Sequence, residues 1–333
     1  MVIKISMNAN SDIFTAPLYL RNPMLQTLLS SSGLRRLGRN EMLGNSVEVI
    51  IDAGDGVKLQ GFHSSHGKEP KERGLVIMLH GWEGSADSAY IVNTGKRLFL
   101  GGYDIFRLNL RDHGSSHGLN SGLFLGTLID ESLQAVRRAA LDFGRGPVFL
   151  VGFSMGGNFA LRMSRLCGES PIQGLERVVC INPPLDPLDA TRNIDRHPLV
   201  KKYFLKKWKR SLAINQALYP ELYDFGDIMT MDTCMEMTEL LIRRYTDYGN
   251  AADYFGRYTL KEGYLDAAAV PLSIITAEDD PIIDVNHFRE AKLNDRVSLI
   301  IHPHGGHCGY INGFRLRSWY QDWMLRLFGS ELN

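Results

Sequence analysis

Short apolar runs alternate along this chain with longer stretches of helical period, the pattern of a mostly parallel sheet covered by helices on both faces. The runs at 75–79, 104–108, 148–151 and 178–181 are mostly apolar rather than alternating, as expected of strands with no solvent side to show. Between them, 88–100 and 128–143 carry the spacing of amphipathic helices. Segments 47–51 and 57–62 flank Ala53-Gly54-Asp55-Gly56, a turn signal that pairs them as an antiparallel edge. The alternation halts at Asn182-Pro183-Pro184, where two prolines stop regular structure. From about 185 to 266 the chain reads as helical and aromatic, and runs at 271–275 and 297–301 then restore the sheet rhythm. The organisation predicted is an N-terminal extension at 1–45 packing on the core, an α/β core at 46–184 and 267–333, and a helical cap inserted at 185–266.

Composition narrows the function. At 333 residues, 44% hydrophobic and 22% charged, the chain can bury a sizeable core. Lys plus Arg equals Asp plus Glu at 37 each, so no global field attracts nucleic acid, and none is predicted as a partner. Cys167, Cys180, Cys234 and Cys308 lack C-x-x-C or metal-ligand spacing, which predicts free thiols in a reducing compartment. Residues 1–10 hold one lysine and no long apolar core, and no stretch approaches the ~18 apolar residues of a membrane span. A cytoplasmic protein is expected.

The chemistry starts at Gly152-Phe153-Ser154-Met155-Gly156, a G-x-S-x-G placed between the apolar run 148–151 and a helical segment from Gly157. A strand that breaks abruptly into a helix lifts the Ser154 hydroxyl clear of the sheet, a nucleophile elbow. Serine is a poor nucleophile at neutral pH and needs a base, and the base needs a carboxylate to orient it. In this strand-turn-helix context the partners follow in the order acid, then histidine. Glu278-Asp279-Asp280-Pro281 follows the run at 271–275, and Asp280, immediately before proline, is favoured over Asp279 on turn geometry. Of His302, His304 and His307, the last is favoured as base because Gly305 and Gly306 give it a flexible loop from which to project. The three histidines lack zinc-type spacing on a helix, and neither metal nor cofactor is predicted. Backbone N–H groups should hold the oxyanion: that of Met155, after the nucleophile, and that of Trp82 in His80-Gly81-Trp82-Glu83-Gly84-Ser85. His80 reads as a loop-stabilising hydrogen-bond former.

These motifs make the chain resemble an α/β-hydrolase of the YheT-like branch. Leu20-Arg21-Asn22-Pro23-Met24-Leu25-Gln26-Thr27-Leu28 is similar to its N-terminal N-P-x-L-Q-T signature; the 80–85 loop, the 278–281 acid segment and Gly305-Gly306-His307 match others. Arg111-Asp112-His113-Gly114 departs from the R-G-C-S-G-like sequence of many members. The resemblance implies the α/β-hydrolase fold, a Ser-Asp-His triad of Ser154, Asp280 and His307, and hydrolysis of carboxylic esters, lipid esters in some members.

The cap supplies Tyr203, Phe204, Trp208, Tyr254 and Phe255 among its aromatic residues, enough to line an apolar pocket over Ser154 for a small-molecule ester. Lys201, Lys202, Lys206, Lys207, Lys209 and Arg210 surround Tyr203, Phe204 and Trp208, a basic helix whose aromatic stripe either packs inward or rests weakly on an anionic bilayer. A thioesterase or lipase would use the same residues. A non-catalytic receptor for a hydrophobic ligand is the reading from a different class, and the co-occurrence of all three triad residue types argues against it.

Overall fold

A computed structural model describes residues 13–67 and 73–331. The central sheet contains β1 (Ser46–Asp52), β2 (Lys58–Ser64), β3 (Leu75–Leu79), β4 (Asp104–Leu108), β5 (Val148–Phe153), β6 (Leu175–Ile181), β7 (Leu272–Ala277) and β8 (Val297–His302). Their order is β1-β2-β4-β3-β5-β6-β7-β8, with β2 running against the others. The helices are α1 (Pro23–Ser30), α2 (Glu41–Gly44), α3 (Ala89–Leu100), α4 (Ile129–Phe143), α5 (Met155–Leu166), α6 (Pro187–Arg196), α7 (Pro198–Leu218), α8 (Cys234–Tyr245), α9 (Ala251–Gly256), α10 (Asn286–Arg289) and α11 (Trp319–Ser330).

Alternate residues of each inner strand feed two cores, which is why the strands read as unbroken apolar runs. On one face Leu75, Ile77, Leu79 and Leu150 meet α4 through Leu133 and Val136, and α5 through Phe159 and Leu161. On the other, Val76, Met78, Phe149 and Val151 meet α3 through Ile91 and Leu98, and α11 through Tyr320, Met324 and Phe328. The sheet strand expected at 178–181 begins earlier, at Leu175. Glu176 is exposed and Arg177 half-buried at that lower end of the sheet, so the apolar pattern does not mark its first turn of pairing.

Between β6 and β7 the chain forms α6 to α9, which have a core of their own around Phe225, Met237, Ile242, Phe255 and Tyr258. All four cysteines are buried and free. Among the described residues, no helix is long and apolar enough to cross a membrane.

Phe149 has no exposed surface and stacks on Phe328 at 4.2 Å between ring centroids. Phe149→Ala is expected to cost about 3–5 kcal/mol of stability, the usual loss for truncating a buried aromatic ring. Denaturant unfolding checks this; a loss under about 1 kcal/mol would mean that the core refills the space.

Candidate active site

The carboxyl ends of β5, β6, β7 and β8 lie along one edge of the sheet, and the turns leaving them carry the polar side chains of the site. At the end of β5 the chain turns at Ser154 with φ 51° and ψ −120°, a region that side chains rarely occupy, and α5 starts one residue later. A Cβ on Gly152 would stand 2.3 Å from the Gly156 carbonyl oxygen, and one on Gly156 would stand 2.5 Å from those of Leu79 and His80. Backbone crossing backbone therefore requires both glycines of the motif. The Ser154 N–H donates to Ile181 O at 2.9 Å, tying the turn to the neighbouring strand.

Ser154 Oγ lies 2.8 Å from His307 Nε2, and His307 Nδ1 lies 2.9 Å from Asp280 Oδ2. A carboxylate can only accept, so Nδ1 carries the proton and Nε2 faces the serine hydroxyl with its lone pair. Asp280 has no exposed side-chain surface and His307 one-tenth. Burial pulls the His307 pKa down, but the Asp280 charge and the adjacent Cys308 more than offset it, leaving it well above the ordinary histidine value. Asp279, the alternative acid, instead accepts from Gly306 N–H at 2.8 Å and faces His304 at 3.5 Å.

A family model described as "Alpha/beta hydrolase family" matches residues 76–315. The chain belongs to the alpha/beta hydrolase family. It is 25% identical over 320 residues to the Escherichia coli (strain K12) protein named "Putative esterase YheT", covering 91% of this chain and 90% of that one. A second bacterial relative, "Putative esterase slr0264" of Synechocystis, is 24% identical over 326 residues, covering 90% and 87%. The solved structure of the Pyrococcus furiosus esterase Pf2001 superposes with a TM-score of 0.53 at 18% identity, covering 85% of this chain and 90% of that one, a likeness of fold.

Two of the other histidines of this alpha/beta hydrolase, His80 and His302, are occupied elsewhere. His80 Nε2 accepts from Leu110 N–H at 3.1 Å, so Nδ1 donates to Gly81 O at 2.8 Å; burial lowers its pKa to about 4. This is the loop-stabilising part expected of it. His302 Nδ1 accepts from Phe14 N–H at 3.0 Å. Gly305 and Gly306 do not provide slack as expected. A Cβ on Gly305 would meet the Tyr310 ring at 2.5 Å, and one on Gly306, where φ is +53°, would meet Pro23 O at 2.4 Å. These glycines let other chain segments approach closely.

The loop after β3 is pinned on both sides of Trp82. Gly81 N–H donates to Tyr90 Oη at 2.9 Å and Glu83 N–H to His113 Nε2 at 3.0 Å. Among the described residues the Trp82 N–H has no acceptor, and Met155 N–H is an orphan donor in the first turn of α5. Burial, opposed by Lys207, pushes the Glu83 carboxyl up to about 8, which spares this loop a negative charge near neutral pH.

Helix α7 turns Phe204 and Trp208 inward while Tyr203 stays exposed: Phe204 stacks on Trp82 at 5.2 Å and Trp208 meets it edge-on at 4.9 Å. Its polar residues anchor it to core loops. Lys207 Nζ donates to Glu83 O at 2.7 Å, Ser211 Oγ to Asp112 O at 3.2 Å, and Asn215 Nδ2 to Asp112 Oδ2 at 3.0 Å. Below the helix an apolar cavity of about 60 Å³ is lined by Trp82, Met155, Phe124, Trp208, Ile242, Tyr254, Phe255 and Tyr258, among others.

Sequence reasoning missed Asn182, which it took only as the start of a proline stop. The residue is fully buried at φ 47° just past β6. Its Nδ2 donates to Asp280 Oδ2 at 2.6 Å and to Gly306 O at 3.3 Å, while its Oδ1 accepts from Tyr310 Oη at 2.9 Å and Cys308 N–H at 3.3 Å. It thereby joins the acid to the histidine loop. An amide residue immediately past the strand next to the elbow strand was the available signal.

Asn182→Ala is expected to slow labelling of Ser154 by a fluorophosphonate about 10–100-fold, because a misplaced carboxylate misaligns the base. The lost buried hydrogen bonds should also cost about 1–3 kcal/mol. Labelling at the wild-type rate in the folded variant would show that Asp280 is held without it.

Proposed function

We propose that this alpha/beta hydrolase cleaves carboxylic esters through an acyl-enzyme. Ser154 Oγ attacks the ester carbonyl while His307 Nε2 takes its proton. Asp280 keeps the imidazole in the required tautomer and stabilises the imidazolium, and the N–H groups of Met155 and Trp82 hold the oxyanion. His307 then protonates the leaving alcohol, and water activated by the same ring frees the acid. No cofactor or metal enters these steps. The observation that carries the reading is the unbroken hydrogen-bond chain from Ser154 through His307 to the buried Asp280, at 2.8 and 2.9 Å.

The esterase designation of both bacterial relatives points the same way. The aromatic lining beside Met155 and Trp82 favours short to medium acyl or lipid-like esters, with residues 185–266 acting as the cap. Free, buried cysteines agree with a cytoplasmic setting. Lys202, Lys206 and Arg210 remain exposed on α7 and are where weak contact with an anionic bilayer would be made.

Ser154→Ala is expected to abolish both fluorophosphonate labelling and turnover of p-nitrophenyl acyl esters of graded chain length. Labelling that persists in this variant overturns the nucleophile assignment, and a wild-type chain that neither labels nor turns over any ester favours a binding role. The base works only when neutral, so kcat/KM should rise with pH through a midpoint above the ordinary histidine value of 6.5. Asp280→Asn should move that midpoint down and lower kcat by roughly 10⁴-fold.

A further inference from the structure

The Asn22-Pro23-Met24-Leu25-Gln26-Thr27 segment lies 280 residues from His307 in sequence, yet it rests against the histidine loop. Its first residues build a helix end. Asn22 Oδ1 accepts from Leu25 N–H at 3.0 Å, the N-cap arrangement, and Pro23 occupies the first helical position, where no N–H is needed. Its last residues face the loop. Thr27 Oγ1 donates its single proton to Pro23 O at 2.8 Å, which leaves the oxygen to accept from His307 N–H at 2.9 Å. Gln26 is fully buried; its Oε1 accepts from Ile311 N–H at 2.7 Å, and its Nε2 donates to Ile311 O at 3.3 Å and Leu20 O at 2.8 Å. One side-chain amide thus pairs both polar groups of a residue in the histidine loop, as a neighbouring strand would.

The fit is close on both sides. Besides the approach of Pro23 O to Gly306, a Cβ on Gly309 would meet both Gln26 O and Gln26 Oε1 at 2.7 Å. Further ties reach the same C-terminal segment. Arg35, nearly buried, donates from Nε to Leu316 O at 2.9 Å and from Nη2 to Ser318 Oγ at 2.8 Å, and Ser318 Oγ donates to Gly309 O at 2.7 Å.

We propose that α1 is a clasp that sets the position of the His307 backbone, with Thr27 as a positioning residue for the imidazole. The inference rests on the proposed role of His307 as base. Nothing else among the described residues accepts the His307 N–H. That bond fixes the main chain from which the ring spans to Ser154 on one side and Asp280 on the other. A shift of a few tenths of an ångström at the backbone would misalign the ring between its two partners while leaving the apolar cavity, lined by other elements, unchanged.

The test uses the full chain with Thr27→Val, which keeps shape and removes the acceptor, and Thr27→Ser, which keeps the acceptor. The expected result for Thr27→Val is a kcat about 10–100-fold lower, with KM within about twofold. Thr27→Ser should recover most of the wild-type kcat. A Thr27→Val kcat within twofold of wild type, or equal losses in both variants, overturns the clasp. Proton NMR supplies a readout independent of turnover: the downfield Nδ1 proton of His307 should broaden or vanish in Thr27→Val and persist in Thr27→Ser. If the wild-type chain hydrolyses no ester, the proposed activity falls, and the NMR comparison alone decides the clasp, an unchanged resonance in Thr27→Val refuting it.

Discussion

A carboxylate with no exposed surface must find every donor inside the protein, and Asp280 does so from three separate chain segments. Ile282 and Ile283 N–H groups serve Oδ1 at 2.8 and 3.1 Å, while Asn182 Nδ2 and His307 Nδ1 serve Oδ2. Removing any one would leave a buried charge short of partners, which is far more costly than losing an exposed hydrogen bond. The ends of β6 and β7 and the loop after β8 are therefore held to one mutual arrangement. Ser154 joins it through its N–H on Ile181, the last residue of β6. The order of the sheet, with β5, β6, β7 and β8 as successive neighbours, makes this convergence possible.

Much of this was legible in the chain because the signals are local. Doubly buried strands write themselves as apolar runs, and the elbow as two glycines whose Cβ atoms would collide with backbone. Asp280 and His307 could be chosen by their position after strands, and in the structure His307 meets Ser154 and Asp280 meets His307. The amphipathic period of 88–100 and 128–143 matches α3 and α4 closely.

What stayed hidden is long-range and polar. Asn182 has its partners at 280, 306, 308 and 310, none of which a local reading connects to it. The glycines before His307 suggested looseness because their neighbours in space, Tyr310 and Pro23, are invisible in a local reading of the loop. Likewise, the cations of α7 suggested a solvated or membrane-facing surface, yet Lys207 and Lys209 donate to backbone carbonyls of Glu83 and Met231. A charged side chain with a long apolar stem can lie along a packed face and end on such an oxygen.

The contact between Thr27 and His307 also has a bearing on biosynthesis. On a ribosome α1 and the Ser154 turn are made well before His307, Thr27 of α1 preceding it by 280 residues and Ser154 by 153. Neither has this counterpart until His307 emerges. The nascent polypeptide therefore carries the serine without its histidine partner over that interval, and both contacts form only once the 307 loop can reach α1 and the elbow.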